Sequence, residues 1–375
     1  MTKAAELAKM GEVLTNSQIG GRRNIVINGA MQVAQRSTSE TGLGASSGYF
    51  TLDRWYLYAN GTAGRLTMAQ VADVHDGFAN ALKLTCTTAD TSIAAGEQVS
   101  LMYRIEGQDL QQLKKGTSDA EKVTLSFYVK GNASATYIAE LMDADNSSRH
   151  VGLAFNVTTD WTRVILTFPA DTTGTLDDDN ALSLDLTIHL HNGSNFTSGT
   201  LQTTWGSLVQ ANRGVGGTSF LDSTDRTFFI TGVQMEVGSQ ATPFEHRSVA
   251  EELALCQRYL YRISGSLYEF FVNGVRNNTN YLWCPLQLPV PLRGQPAITT
   301  AGTSNNCFGM WHGTGGSWST THTTMGVYAN PDLHDGSVIQ LALALNGIGG
   351  SGFGDGQCVN LGFQDNGFLD CDAEL

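Results

Sequence analysis

FFITGVQMEVGSQATPFEHRSVAEELALCQRYL, Phe228–Leu260, is the stretch on which the reading of the fold turns. It opens as an apolar strand, Phe228 to Val233, and passes a turn at Gly238 before reaching Pro243 and Phe244. Ser248 and Glu251 then stand at capping-box spacing, where each side chain satisfies a free backbone N–H at a helix start. Val249, Leu253, Cys256 and Leu260 fall on one helical face. Arg258 and Arg262 are expected in the last turn, where positive charge suits the helix dipole. A β region therefore closes here, a junction helix from Ser248 to Tyr261 follows, and the sequence style changes.

Upstream, the signal is β throughout. Arg65 to Gln70, Ala81 to Thr85, Glu97 to Ile105, Lys122 to Lys130, Thr136 to Asp143 and Thr162 to Phe168 alternate apolar with polar residues. Leu182 to Leu190, Gln202 to Leu208 and Thr227 to Met235 complete the set. Turn-forming clusters separate these runs, the pattern of an antiparallel sandwich or jelly roll. Ile25 to Ile27 reads as a first strand with Asn28-Gly29 as a tight turn. Leu110 and Leu113 point inward from a short helix at Asp109 to Leu113. Trp55, Trp161 and Trp205 sit in strand contexts and are expected in the core.

Residues 1–16 carry Ala4, Leu7, Met10 and Leu14 at helical steps. A helix of about four turns is marginal alone in water, so a partner surface or a multi-chain bundle is the expected stabiliser. Past the junction, strands at Leu267 to Val272, Tyr281 to Leu288 and Ala297 to Thr300 alternate with loops rich in Gly, Asn and Thr. Pro285, Pro289, Pro291 and Pro296 mark that stretch as edge or connector, since strand interiors reject proline. The organisation is then a helical docking or oligomerisation segment at 1–21, a β jelly roll at 22–246, a junction helix at 247–264 and a β-rich distal domain at 265–375. The fold class is all-β.

Composition narrows the function. The 375-residue chain carries a net charge of −13 with only 15% charged residues, against roughly 25% in an ordinary protein. Phosphate recognition needs clustered Lys and Arg, so nucleic acid is excluded as a partner, and an anionic membrane surface is disfavoured. No run of about 18 apolar residues is present, so membrane insertion is not expected. No secretory leader is visible. The six cysteines, Cys86, Cys256, Cys284, Cys307, Cys358 and Cys371, match no metal or disulfide framework. They read as buried thiols, with Cys307–Cys358 and Cys358–Cys371 left open as pairs.

Three motifs taken together carry a resemblance. RRNIVINGAMQVAQRST (Arg22–Thr38), YFTLDRWYL (Tyr49–Leu57) and ITGVQMEVGSQATPFEHRSVAEELALCQRYLY (Ile230–Tyr261), with the closing DAEL (Asp372–Leu375), resemble tail-fibre-like structural proteins of bacteriophages, many of them marine or cyanobacterial. The match covers residues 22–262 and the last four. It implies a virion protein with a carbohydrate-module-like jelly roll, a homotrimer with a variable distal domain, and no enzyme. The N-terminus would dock to other tail or capsid proteins of the virion, and the distal domain would meet a host glycan. Two alternatives stay open: a capsid-bound head fibre or decoration protein, and a polysaccharide depolymerase.

The search for chemistry is mostly negative. Gly44-Ala45-Ser46-Ser47-Gly48 fits a nucleophile elbow but lacks the flanking strand and helix. Gly347 to Gly352 fits a dinucleotide loop, yet the residues after it cannot open a helix. His189 and His191, two apart, are expected on one strand face without a visible third ligand. Asp177-Asp178-Asp179 with Asn180 offers oxygens for calcium but reads as a solvated turn. No cofactor and no metal are assigned. Glycan-binding candidates are Trp311, His312, Trp318, His322 and Tyr328, aromatic and polar groups in a loop-rich setting. Oligomer-interface candidates are Leu7, Met10, Leu14, Val249, Leu253 and Leu260.

Overall fold

The computed structural model describes residues 3–4, 23–266, 269–278, 281–300, 308–311, 324–330, 338–346, 358–363 and 367–375. The chain divides into two compact units, Met1–Glu252 and Leu253–Leu375. The fold is all-β. Among the described residues no helix is long and apolar enough to cross a membrane.

Among the described residues the first unit contains twelve strands: β1 (Ser39–Leu43), β2 (Gly48–Tyr49), β3 (Trp55–Asn60), β4 (Arg65–Val71), β5 (Ala81–Thr88), β6 (Gln98–Glu106), β7 (Val123–Gly131), β8 (Ala135–Asp143), β9 (Arg149–Val157), β10 (Thr162–Phe168), β11 (Leu182–Asn192) and β12 (Thr227–Val237). They form two six-stranded sheets, ordered β1-β4-β5-β12-β7-β10 and β2-β3-β6-β11-β8-β9. All neighbours run antiparallel. The strands latest in sequence, β11 and β12, fill the middle of each sheet. This is the crossover pattern of a jelly-roll sandwich. Alternate residues turn inward, as the two-residue period demands. Trp55, Leu57, Leu101, Leu186 and Ile188 on one sheet, and Leu84 and Phe127 on the other, are buried. Tyr137 on β8 meets Phe228 on β12 edge to face at 5.5 Å, and Phe127 on β7 meets Phe155 on β9 at 5.0 Å, so aromatic pairs bind sheet to sheet.

The opening stretch behaves largely as its sequence demands. β12 breaks register between Thr231 and Gln234. Gly232 supplies the break with φ 62°, a conformation that favours glycine. The capping box forms: Ser248 N donates to Glu251 Oε2 at 2.9 Å, and Glu251 N donates to Ser248 Oγ at 3.2 Å. The helix, however, runs only Val249–Gln257. Leu260 and Arg262 lie on a strand instead. LYRISG is rich in β-formers, and its partner lies more than a hundred residues away, out of reach of a local reading.

Other expectations need correction. Ile25 to Ile27 are buried but form no strand. Ile25 N donates to Met235 O, but the donors that follow go to side chains: Val26 N to Asn24 Oδ1, Ile27 N to Tyr103 Oη, and Asn28 N to Glu252 Oε1. Gln202 to Leu208 is no strand either. Gln202 and Gly206 bond the backbone of β9 at Gly152 and His150, covering a sheet edge. Trp55 is core, whereas Trp161 and Trp205 are half-buried outside strands. Trp161 packs on Phe229 at 6.1 Å, and Trp205 donates to Pro169 O at 2.8 Å. Leu110 and Leu113 do point inward, from two 3-10 turns, Gly107–Asp109 and Gln111–Leu113.

The second unit contains β13 (Leu260–Gly265), β14 (Phe270–Asn278), β15 (Tyr281–Leu292), β16 (Ala297–Thr300), β17 (Phe308–Trp311), β18 (Thr324–Asn330), β19 (Val338–Asn346), β20 (Cys358–Phe363) and β21 (Gly367–Asp372). Three form a sheet ordered β13-β21-β16, and six form a sheet ordered β17-β20-β14-β15-β19-β18. Its core gathers Leu282, Leu286, Phe308, Leu341, Leu361 and Leu369. The proline-bearing β15 is an interior strand, not a connector. Its pairing with β14 ends at Trp283, and its register against β19 breaks between Gln287 and Leu292. Pro285, Pro289 and Pro291 stand beyond the β14 pairing, where a missing N–H leaves no ladder bond unmade on that side. Cys358 is exposed and Cys371 buried, and they are not bonded to each other. Burial pushes the Cys284 and Cys371 thiols up to about 12. Cys307 and Gly347 to Gly352 lie outside the described residues.

Candidate functional site: the outer face of the β3-β6-β11-β8 sheet

A sandwich sheet shows one face to the core and one outward, and the outward residues follow from register. On β3 these are Tyr56, Tyr58 and Asn60; on β6, Gln98, Ser100, Met102 and Arg104. Pairing then lays out rows across the sheet. Tyr56, Met102, Thr187, Glu140 and Gly152 form one row, and Tyr58, Ser100, His189, Ile138 and Ala154 the next. Arg104, Asp185, Met142 and His150 form a third. The face is thus polar and aromatic, not apolar.

Its middle is dry. Glu140, His150, His189, Thr187, Ser100 and Asp185 are all buried. Glu140 is the hub. It meets His150 Nδ1 at 2.7 Å and His189 Nε2 at 3.0 Å. Arg213 donates to it from Nε at 3.0–3.1 Å and from Nη2 at 2.6 Å. Burial alone would raise the carboxyl; His189, the hydrogen bond of His150 and the Arg213 guanidinium outweigh it and hold the group well below the usual carboxylate range. Asp185 goes the other way. Burial pushes it up to about 6, Glu140 adds to the rise, and Arg104, with Nε 3.7 Å away, opposes it.

Three buried oxygens in this strip, Ser100 Oγ, Thr187 Oγ1 and Asp185 Oδ1, make no hydrogen bond among the described residues. A buried polar atom without a hydrogen bond costs about 1–3 kcal/mol, so these three oxygens are a polar cost carried by the dry middle of the strip. One side of the strip is a ladder of cations and rings. Arg36 lies over Tyr49 at 5.2 Å, Tyr49 meets Tyr56 at 4.9 Å, and Arg104 lies over Tyr56 at 4.2 Å. Tyr49, Tyr56, Tyr58 and Arg104 are half-buried, with part of each facing solvent. On the other side the 202–213 loop crosses to β9 and supplies Arg213.

The sequence candidates fall elsewhere. Trp311 ends β17 and Tyr328 lies in β18, the two edge strands of the six-stranded sheet, with four strands between them. His312, Trp318 and His322 lie outside the described residues, as do Leu7, Met10 and Leu14. Val249 is 62% exposed, Leu253 half-buried, and Leu260 buried on β13. His189 and His191 do not share a face. The register against β6 slips between them, so His189 reaches Glu140 while His191 bonds Ser219 Oγ at 2.7 Å. Asp177, Asp178 and Asp179 are exposed on a loop, as a solvated turn requires. No helix follows Gly44 to Gly48.

The outer-face residues were missed, though a signal existed. SLDLTIHLHN (Ser183–Asn192) alternates Leu and Ile with Asp, Thr and His, and WYLYAN (Trp55–Asn60) places Tyr, Tyr and Asn on the second face. Such alternation normally means a solvated face; what sets this one apart is the covering loop, which only the fold reveals.

No protein-family model matches the chain, and no curated protein matches it. Solved structures similar to part of it include a carbohydrate-binding module described as CBM4, at 13% identity and TM-score 0.31, spanning 56% of this chain and 97% of that one. The family 11 carbohydrate-binding module of a Clostridium thermocellum cellulosomal cellulase shows 15% identity and TM-score 0.27, over 56% and 99%. The enzymatically active domain of tailspike protein 4 from bacteriophage CBA120 shows 14% identity and TM-score 0.29, over 57% of this chain and 21% of that one. At TM-scores of 0.31 and below, none of these similarities assigns the chain a ligand or an activity.

Proposed function

We propose that the chain is a non-catalytic, glycan-binding structural protein of a bacteriophage virion, a trimeric tail fibre that meets the host surface. The observation that carries the binding reading is the outer strip itself. Half-buried Tyr56 and Tyr58 offer ring surface for a sugar, and half-buried Arg104 and exposed Asn60 supply polar groups on the same face. Ligand sites join apolar or aromatic walls to a few placed polar groups in this way. Both oxygens of Glu140 are engaged by His150, His189 and Arg213, which supports a positioning role over acid–base work. The virion setting rests on the three motifs and closing DAEL of the sequence. An assembly is supported by Val249, an apolar side chain 62% exposed on a short helix. Three copies would turn weak single contacts into useful avidity.

The test is binding of the full chain to a panel of host-derived and plant polysaccharides, with Tyr56→Ala and Tyr58→Ala compared. Each variant is expected to weaken binding about tenfold, near 1.4 kcal/mol. Unchanged binding in both, or no binding to any glycan by wild type, overturns the reading. Release of reducing sugar would move the protein to the depolymerases. Light scattering that gives a monomer at micromolar concentration would remove the trimer, and immunogold labelling confined to the capsid would remove the tail.

A further inference from the structure

We infer that Asp90, Glu97 and His191 form a binding site for a divalent transition ion at one end of the sandwich. They come from two segments: Asp90 and Glu97 stand near the two ends of the loop that joins β5 to β6, and His191 lies at the end of β11. One ligand atom of each lies within 4.8 Å of the others, and all three residues are buried, at 5%, 7% and 0% exposure.

Charge makes the second argument. Glu97 is a buried carboxylic side chain with one hydrogen-bonding partner among the described residues, His191 Nε2 at 3.4 Å. That is a long hydrogen bond. Asp90 adds a second buried carboxylate beside it, and its Oδ2 is anchored by Thr62 Oγ1 at 2.7 Å and Ala63 N at 2.9 Å. Among the described residues no Lys or Arg bonds either carboxylate. Buried charges are paired or coordinate metals, and one imidazole is a thin counterweight for two carboxylates.

The donors are also oriented as metal ligands are. His191 Nδ1 is hydrogen-bonded to Ser219 Oγ at 2.7 Å, which fixes the ring and leaves Nε2 facing the carboxylates. Metal–ligand distances of about 2.0–2.2 Å put tetrahedral ligands roughly 3.4 Å apart, the separation His191 Nε2 and Glu97 Oε2 already have. One imidazole and two carboxylates suit Zn2+ or Mn2+ better than Ca2+, which prefers oxygen alone. The ion would close the β5–β6 loop on itself and tie it to β11 beside the register slip, two residues from His189.

The experiment uses the full chain, stripped with chelator and dialysed into metal-free buffer. Zn2+, Mn2+ and Ca2+ are added singly, with bound metal counted by mass spectrometry and thermal unfolding followed. The expected result is one Zn2+ or Mn2+ per chain and a rise in Tm of several degrees. Glu97→Gln and His191→Gln are each expected to lose at least tenfold in affinity. Should either variant fail to fold, Co2+ in the wild type serves instead, with a visible band of a nitrogen- and oxygen-ligated site that Zn2+ abolishes. Less than a tenth of an equivalent bound with no shift in Tm overturns the inference. So does equal binding by wild type and both folded variants, or a Co2+ spectrum of the hydrated ion alone. Glycan binding is not the readout, so this result and that of the outer strip are separate.

Discussion

Arg213 and Glu140 are 73 residues apart in sequence, yet the guanidinium reaches both carboxylate oxygens, with Nη2 at 2.6 Å from Oε2. The loop bearing Arg213 is thereby fastened across the outer face of the sandwich by a pair buried on both sides. Removing one partner of a buried pair leaves the other charged and dry.

Glu140→Gln is therefore expected to destabilise the protein by about 3 kcal/mol, read as a lower midpoint in denaturant. The pH dependence has a definite sign. The folded pKa lies well below the ordinary glutamate value of 4.5. The stabilisation is thus present above pH 4.5 and is lost as pH falls through the folded value. Wild type should show an acid limb that the variant lacks; superimposable limbs would show that Glu140 contributes nothing there.

Gly29 approaches the backbone of β12 so closely that a Cβ would lie 2.1 Å from Val233 O. The clash is with backbone, which cannot swing aside. Gly29→Ala should cost on the order of 3 kcal/mol and loosen the buried Asn24 to Val33 segment. Hydrogen exchange would locate the effect: faster exchange at Val233 N, whose partner is Gly29 O, is the expected mark.

The sequence is legible where local pattern and global fold agree. Thr162–Phe168 is a strand over the very residues whose alternation suggests it, and Ala297–Thr300 is a strand with the bounds read from the loops around it. The Ser248–Glu251 cap is legible because it is complete within four residues. Leu260 to Gly265 is not, because a helical face and a strand edge are both open to it until Gly367–Asp372 arrives to pair. β9 was overlooked although Val151, Phe155 and Val157 alternate with His150 and Asn156. The outer strip was invisible for a different reason. Its hub joins Glu140, His150, His189 and Arg213 from three strands and a loop, and no spacing within one segment announces that meeting.

β21 is the central strand of its sheet, pairing with β13 on one side and β16 on the other. The residues after it are held as well, since Arg293 donates from Nε to Ala373 O at 2.9 Å. Deleting residues 367–375 removes Leu369 and Cys371 from the core and leaves two strands without their shared partner. The second unit is expected to lose its cooperative transition. Limited proteolysis would then cut throughout 253–366; a truncated chain as resistant as the full one would contradict this account.

Asp185 gives the clearest pH signature, because it runs opposite to Glu140. Its folded pKa is about 6 against an ordinary 3.8, raised first by burial. Between those values the folded chain keeps a proton that the unfolded chain releases. Stability from this group is therefore fully present below pH 3.8 and declines as pH rises through 6. At higher pH the wild type holds a buried carboxylate against Arg104 at 3.7 Å without a hydrogen bond on Oδ1. Asp185→Asn cannot ionise, so its stability relative to wild type should climb between about pH 4 and about pH 8, by on the order of 3 kcal/mol. Denaturant unfolding of both proteins across that range measures the difference directly. A constant gap would mean that Asp185 ionises as freely in the fold as in the unfolded chain, and that Arg104 and local water neutralise it fully.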